Sequence, residues 1–158
     1  MRVLGIDPGF DRLGLAIIEG NPSRPVHVWS ACVEPEEGEP HERLAAVIEA
    51  VTRAIKTHQP DVLAIETLFF STNRKTALGV AQARGAILAT AGGANLRVAE
   101  FSPQQVKLAV TGYGASDKTA VARMIPKLLT LPLKKRKDDE FDAIAIAIAG
   151  LSSHRGVA

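Results

Sequence analysis

Two short apolar runs, RVLGID at Arg2–Asp7 and DVLAIET at residues 61–67, constrain the fold of this chain more than any other feature. Each reads as a strand buried on both faces, and each carries a carboxylate at or next to its end, Asp7 and Glu66. Between them Leu44, Val47, Ile48, Val51 and Ile55 recur at the spacing of one helical stripe, which predicts an amphipathic helix over about residues 41–58, stopped by Pro60. A helix crossing between two buried strands implies that they pair in parallel. Both carboxylates then arrive at the same carboxyl edge of the sheet, where open α/β sheets usually bind their ligands.

The remaining elements follow from the same reading. Pro8 and Gly9 turn the chain into an apolar run at residues 13–19, Gly20, Asn21 and Pro22 turn it again into a run at residues 26–33, and an acidic loop occupies residues 34–40. Asn73 is positioned to cap an Ala- and Gly-rich helix to about residue 91, Gly92 and Gly93 end it, and residues 96–101 form another strand. Ser102 and Pro103 open a helix that Gly112, Tyr113 and Gly114 break. Ser116 or Asp117 caps the next helix, to about residue 129, and a basic loop at 131–137 leads into a last helix over about 138–152. The order β-β-β-α-β-α-β-α-α-α predicts an α/β fold, a mixed five-stranded sheet flanked by helices.

Composition limits the alternatives. At 158 residues the chain is expected to form a single domain, 1–158, that buries roughly 70% of its unfolded surface without disulfide or structural metal. With 46% hydrophobic and 23% charged residues it is no disordered tail, and its single cysteine, Cys32, excludes an internal disulfide or a Cys/His zinc site. The most apolar stretch, residues 143–151, is far too short to span a bilayer, and residues 1–20 lack a basic start followed by an apolar core. A soluble cytoplasmic protein is expected, with no membrane partner. The net charge of +2 demands no nucleic-acid partner, so the placement of the charges has to decide.

Packing alone gives no reason for charges at Asp7 and Glu66, although a turn cap or an ion pair with an arginine such as Arg12 would account for either one singly. A third acidic feature opens the last helix: Asp138, Asp139, Glu140 and Asp142. The helix dipole explains one or two of them. Asp142 sits beside the stripe Phe141, Ile144, Ala145 and Ile148 that would press into the core, and both Asp138 and Asp139 have the spacing to share its face. If four such carboxylates converge to ~5 Å, their six pairs repel by roughly 20 kcal/mol at an effective dielectric near ~20. Divalent cations offset that repulsion. Oxygen ligands without His or Cys select Mg²⁺, with Mn²⁺ as a substitute, and two ions in such a site support phosphodiester hydrolysis.

The motifs that carry these residues resemble a known family. GIDPG (residues 5–9), AIE (64–66) followed by Phe69, QARG (82–85), QVK with GxG and a later lysine (105–118), and DEFDAIAIAIA (139–149) are similar to the bacterial RuvC Holliday junction resolvases over about residues 1–152. The resemblance implies a ribonuclease H-like fold, a homodimer, and Mg²⁺-dependent symmetric nicking of four-way junction DNA during recombination and repair. It implies RuvA and RuvB as branch-migration partners. It also implies that the four metal-binding acids are Asp7, Glu66, Asp139 and Asp142, which resolves the tie between Asp138 and Asp139. Family members often continue into a further tail, so a short C-terminal extension beyond Ala158 is an expectation too.

Contacts to DNA are expected from Phe69, placed by the resemblance as an apolar wedge that unstacks bases, and from basic residues near the acids. These are Arg74, Lys75, Lys107, Lys118 and the run Lys134, Lys135, Arg136 and Lys137, where phosphate must approach the carboxylates. Lys107 and Lys118 match basic positions of the family motifs and are the candidates for the scissile site. The apolar faces of the helix at 73–91 suit burial against both the sheet and a second copy, and a two-fold dimer matches a two-fold junction. Three other readings compete: a junction-binding module without cleavage, a nucleotide phosphate loop at GIDPG, and a nuclease of this fold acting on RNA or single strands.

Overall fold

A computed structural model describes residues 1–68 and 74–154, leaving aside the side chains of Lys75 and His154. The strands are β1 (Arg2–Asp7), β2 (Leu13–Asn21), β3 (Arg24–Val33), β4 (Val62–Glu66) and β5 (Arg97–Phe101). The helices are α1 (Pro40–His58), α2 (Arg74–Gly93), α3 (Pro103–Thr111), α4 (Lys118–Leu128) and α5 (Asp138–Leu151). The sheet runs β3-β2-β1-β4-β5. β1 and β2, and β2 and β3, pair antiparallel, whereas β4 pairs in parallel with both β1 and β5. The expected mixed five-stranded sheet is present with its elements in the expected order.

Local chemistry sets the helix boundaries. Ser102 accepts the Gln105 amide at 3.2 Å while the Gln105 side chain accepts the Ser102 amide at 2.7 Å, a reciprocal cap ahead of Pro103. Of the two candidates for the cap of α4, Asp117 holds the position, accepting from the Ala120 amide at 2.7 Å. The proposed cap of α2, Asn73, lies outside the described residues.

Two apolar layers flank the sheet. On one face Leu4, Ile6, Leu15, Ile17, Leu63 and Ile65 meet Val47 and Val51 of α1 and Ile87 of α2. The stripe of α1 is rotated from the expected one: Ala54 is buried with Val47 and Val51, while Ile48 is 42% exposed. On the other face Val3, Ala16, Ile18 and Ala64 meet α5, which α3 and α4 cover through Val106, Val110, Val121 and Ile125. Here the sequence reading needs correction, because α5 is not a one-striped helix. Every residue from Ala143 to Leu151 is buried, so the helix lies between the sheet and two other helices.

Close approach makes that possible. A Cβ on Gly5 would stand 2.3 Å from the Ala143 carbonyl oxygen and 2.5 Å from the Ala147 nitrogen, and one on Gly14 would stand 1.9 Å from the Asp139 carbonyl oxygen. Backbone meets backbone at these two crossings. α5 therefore lies down on β1 and β2, and its first turn rests over Gly14, the cross-strand partner of Asp7.

Candidate active site

The parallel register pairs Ile6 with Ile65, so Asp7 and Glu66 follow side by side at the carboxyl edge of β1 and β4. α5 brings its first turn to the same edge. Asp7, Glu66 and Asp142 line one cleft of about 270 Å³, together with Lys107 from α3 and Lys118 from α4. Asp139 is not among the lining residues; Arg12 Nε lies 3.1 Å from its Oδ2, and Lys118 Nζ lies 3.1 Å from Asp142 Oδ2.

The electrostatics record the crowding. Asp7 is pushed up to about 8, by burial first and then by the charges of Asp142, Asp139 and Glu66, with Lys118 opposing. Glu66 is raised by burial and by Asp142, against Lys107 and Lys118. Asp142 is raised as well, by burial first, although the hydrogen bond and charge of Lys118 oppose it. Burial favours neutral Lys118, but its bond to Asp142 and the surrounding acids outweigh that and raise its pKa. Three acids and two lysines share one partly desolvated volume, and Asp139 acts on Asp7 from outside its lining.

The donor set suits a hard divalent cation. It consists of carboxylate oxygens without sulfur or imidazole, and Asp139 Oδ2 is enclosed with no hydrogen-bond donor aligned on it despite the nearby Arg12. Among the described residues no three His, Cys, Asp or Glu side chains stand close enough to hold a metal ion as they are; Lys118 pairs with Asp142 and Arg12 with Asp139. The tie at the start of α5 also has a structural side. Asp138 is exposed, whereas Asp139 is partly enclosed and acts on Asp7.

A comparison with families of known proteins decides the membership. The family model for the crossover junction endodeoxyribonuclease RuvC matches residues 3–150. The chain belongs to the RuvC family. It is 41% identical to the RuvC of Syntrophomonas wolfei over 98% of its own length and 91% of that protein, and 42% identical to that of Moorella thermoacetica over 96% and 92%. Among solved structures it is similar to Thermus thermophilus RuvC, with TM-score 0.88, 31% identity and coverage of 99% of this chain and 97% of that one. The same protein in complex with a Holliday junction substrate gives TM-score 0.90 with coverage of 99% and 96%. A yeast mitochondrial Holliday junction resolvase, 14% identical, shares the fold, with TM-score 0.72. The ribonuclease H-like architecture expected from the resemblance is that of this RuvC family.

The DNA-facing candidates divide. Lys107 and Lys118 line the cleft. Arg74 is exposed at the start of α2 and Lys135 is exposed in the loop before α5. Phe69, with its neighbour Phe70, lies outside the described residues, as does the side chain of Lys75. The basic run is not a uniform phosphate patch. Arg136 is 4% exposed with its Nε 3.2 Å from Glu140 Oε1, so it is withdrawn from the DNA-facing set. Lys134 Nζ lies 2.8 Å from the same oxygen, and Lys137 pairs with Glu34. Reading four consecutive cations as one surface missed Glu140, although its i,i+4 spacing from Arg136 was visible. Arg12, considered as a partner for Asp7, serves Asp139 instead. Arg84, from the QARG motif, pairs with Glu100 and reaches the Glu66 carbonyl oxygen at 3.4 Å, tying α2 to the ends of β4 and β5.

Proposed function

We propose that this protein resolves four-way DNA junctions by metal-dependent nicking, with Asp7, Glu66, Asp139 and Asp142 as the carboxylates that hold Mg²⁺. The observation that carries this reading is the meeting of Asp7, Glu66 and Asp142, from two strand ends and the last helix, in one cleft that Lys107 and Lys118 also line, an oxygen donor set that a divalent cation would suit. Bound there, Mg²⁺ or Mn²⁺, as a pair, would supply an activated water and charge stabilisation for the departing oxygen. The chain's own residues do the rest. Asp7 and Glu66 present oxygens from two rigid strand ends, and α5 closes the set from the opposite side with Asp139 and Asp142. Lys107 and Lys118, flanking the cleft, are suited to hold the scissile phosphate, and the apolar wall of Val106, Val121 and Ile146 limits water on that side.

Family membership supports the same substrate. Relatives bear the name crossover junction endodeoxyribonuclease, and the matching Thermus structure holds a Holliday junction. A homodimer would present two clefts related by the two-fold axis of the junction, Phe69 would serve as the wedge, and RuvA and RuvB would be associates. The test compares a synthetic four-way junction, linear duplex and RNA, with and without Mg²⁺. Symmetric nicks confined to the junction and dependent on Mg²⁺ are expected. Asp7→Asn should bind the junction and nick it at least about a hundredfold more slowly. Unchanged nicking by that variant removes Asp7 from the mechanism.

A further inference from the structure

α3 and α4 each begin on a side chain that accepts a backbone amide, Ser102 and Asp117. α5 does not: its N-cap is Lys137, whose side chain makes no cap hydrogen bond and has no acceptor to offer. Yet Asp139 and Asp142 both sit in the opening turns of this helix. The Lys137 carbonyl takes the Glu140 amide at 3.1 Å, but a first turn without a side-chain cap frays more readily than a capped one.

Glu140 occupies that turn on the side away from the cleft, and it is one of two buried polar residues in the described core. Its Oε1 accepts from Ser30 Oγ of β3 at 2.5 Å, from Lys134 Nζ at 2.8 Å and from Arg136 Nε at 3.2 Å. Lys134 Nζ also donates to the Ser30 carbonyl at 3.1 Å, and Arg136 Nη1 to the Pro132 carbonyl at 2.9 Å. His27 Nε2 lies 2.8 Å from Ser30 Oγ. One carboxylate thus ties the edge strand, the loop before α5 and the first turn of α5 into a single knot. A buried charge of this kind adds little stability over a well-packed apolar residue. What it adds is direction, because three donors from three segments fix one oxygen.

We propose that Glu140 is a positioning residue for the cleft. Its bonds anchor the first turn of α5 to β3 and to the preceding loop, where no side-chain cap does so, and it holds Asp139 and Asp142 at the angle from which they face Asp7 and Glu66. It touches neither substrate nor cation. The same bonds enclose Arg136 and engage the still exposed Lys134, so the knot sets both the placement of the acids and which cations of the loop remain free.

This inference rests on Asp139 and Asp142 serving the cleft, and its test separates the two. Amide exchange in the metal-free protein reports the turn itself. In Glu140→Gln, protection of Phe141 and Asp142 should fall about tenfold, the size of losing a cap, while residues 143–151 keep theirs. Junction nicking by the same variant should lose at least about tenfold in kcat with KM unchanged or lower, because Lys134 and Arg136 are released toward phosphate. Glu140→Asp should recover part of the protection and part of kcat. Ser30→Ala, which leaves the carboxylate and both cations in place, should show the same pattern at smaller amplitude and serves if Glu140→Gln does not fold. Unchanged exchange at Phe141 and Asp142 in these variants overturns the proposal. So does a loss of protection throughout α5 with binding and nicking falling together, which is the mark of a merely structural role. Loss of exchange protection in the first turn without any change in nicking would also overturn it. A wild-type protein that nicks no junction would instead overturn the functional reading and leave the exchange result to stand by itself.

Discussion

Asp7 shows how a side chain can be costly to the fold where the proposed chemistry asks for it. Its carboxyl is pushed up to about 8 from 3.8 by burial and three neighbouring acids. Between those two values the folded protein holds a proton that the unfolded chain has released. Stability of the metal-free protein therefore declines as pH rises from about 4 to about 8 and levels off above. Asp7→Asn removes the Asp7 share of that dependence and leaves the smaller shares of Glu66 and Asp142. In EDTA the variant should melt several degrees above the parent near pH 8, with the gap shrinking toward pH 4; the shift sets an upper bound on the order of 5 kcal/mol. Thermal unfolding across that range checks it, and a parent that is the more stable form near pH 8 contradicts the buried-charge account. Added Mg²⁺ should reverse the order, since a cation that binds only the folded parent stabilises it by mass action.

At the level of elements, the placement of the site depends on two glycines as much as on the acids. Gly14 lets the first turn of α5 touch β2, where an added Cβ would stand 1.9 Å from the Asp139 carbonyl oxygen; Gly5 does the same one turn further on. Gly14→Ala must push that turn off the sheet. It is expected to cost about 1–3 kcal/mol in denaturant unfolding and to reduce nicking beyond what the stability loss explains, because Asp139 moves with the backbone. Gly5→Ala should cost a similar amount while displacing the helix nearer its middle. These contacts show what the sequence could and could not disclose. The strand ends bearing Asp7 and Glu66 were legible, because a continuous apolar run allows few structures and a helical connection allows one pairing sense. The caps at Ser102 and Asp117 were legible as local chemistry. The burial of α5 on all sides was not, since its periodicity is masked by alternating Ile and Ala, and what packs over it depends on α3 and α4. Nor was the knot at Glu140, which joins residues 110 apart in sequence.

For the molecule as a whole, net charge understates how selectively cations are deployed. Many basic side chains are committed to acids of the same chain: Arg2 to Glu19, Arg43 to Asp11, Arg84 to Glu100, and Lys134 and Arg136 to Glu140. A surface of this kind attracts a phosphate backbone only where cations stay outward. Lys107 in the cleft and the exposed Lys135 meet that condition; Arg136 does not. Counterion release turns the difference into a measurement, because each phosphate neutralised adds about 0.9 to the slope of log affinity against log salt. With a four-way junction as ligand and Mg²⁺ absent, Lys107→Ala and Lys135→Ala should each lower that slope by about 0.9. Arg136→Met should leave it unchanged, since the guanidinium it removes is enclosed and already answered by Glu140. A lowered slope in Arg136→Met would mean that this arginine reaches the backbone of the DNA after all, and that the loop before α5 opens when the junction binds.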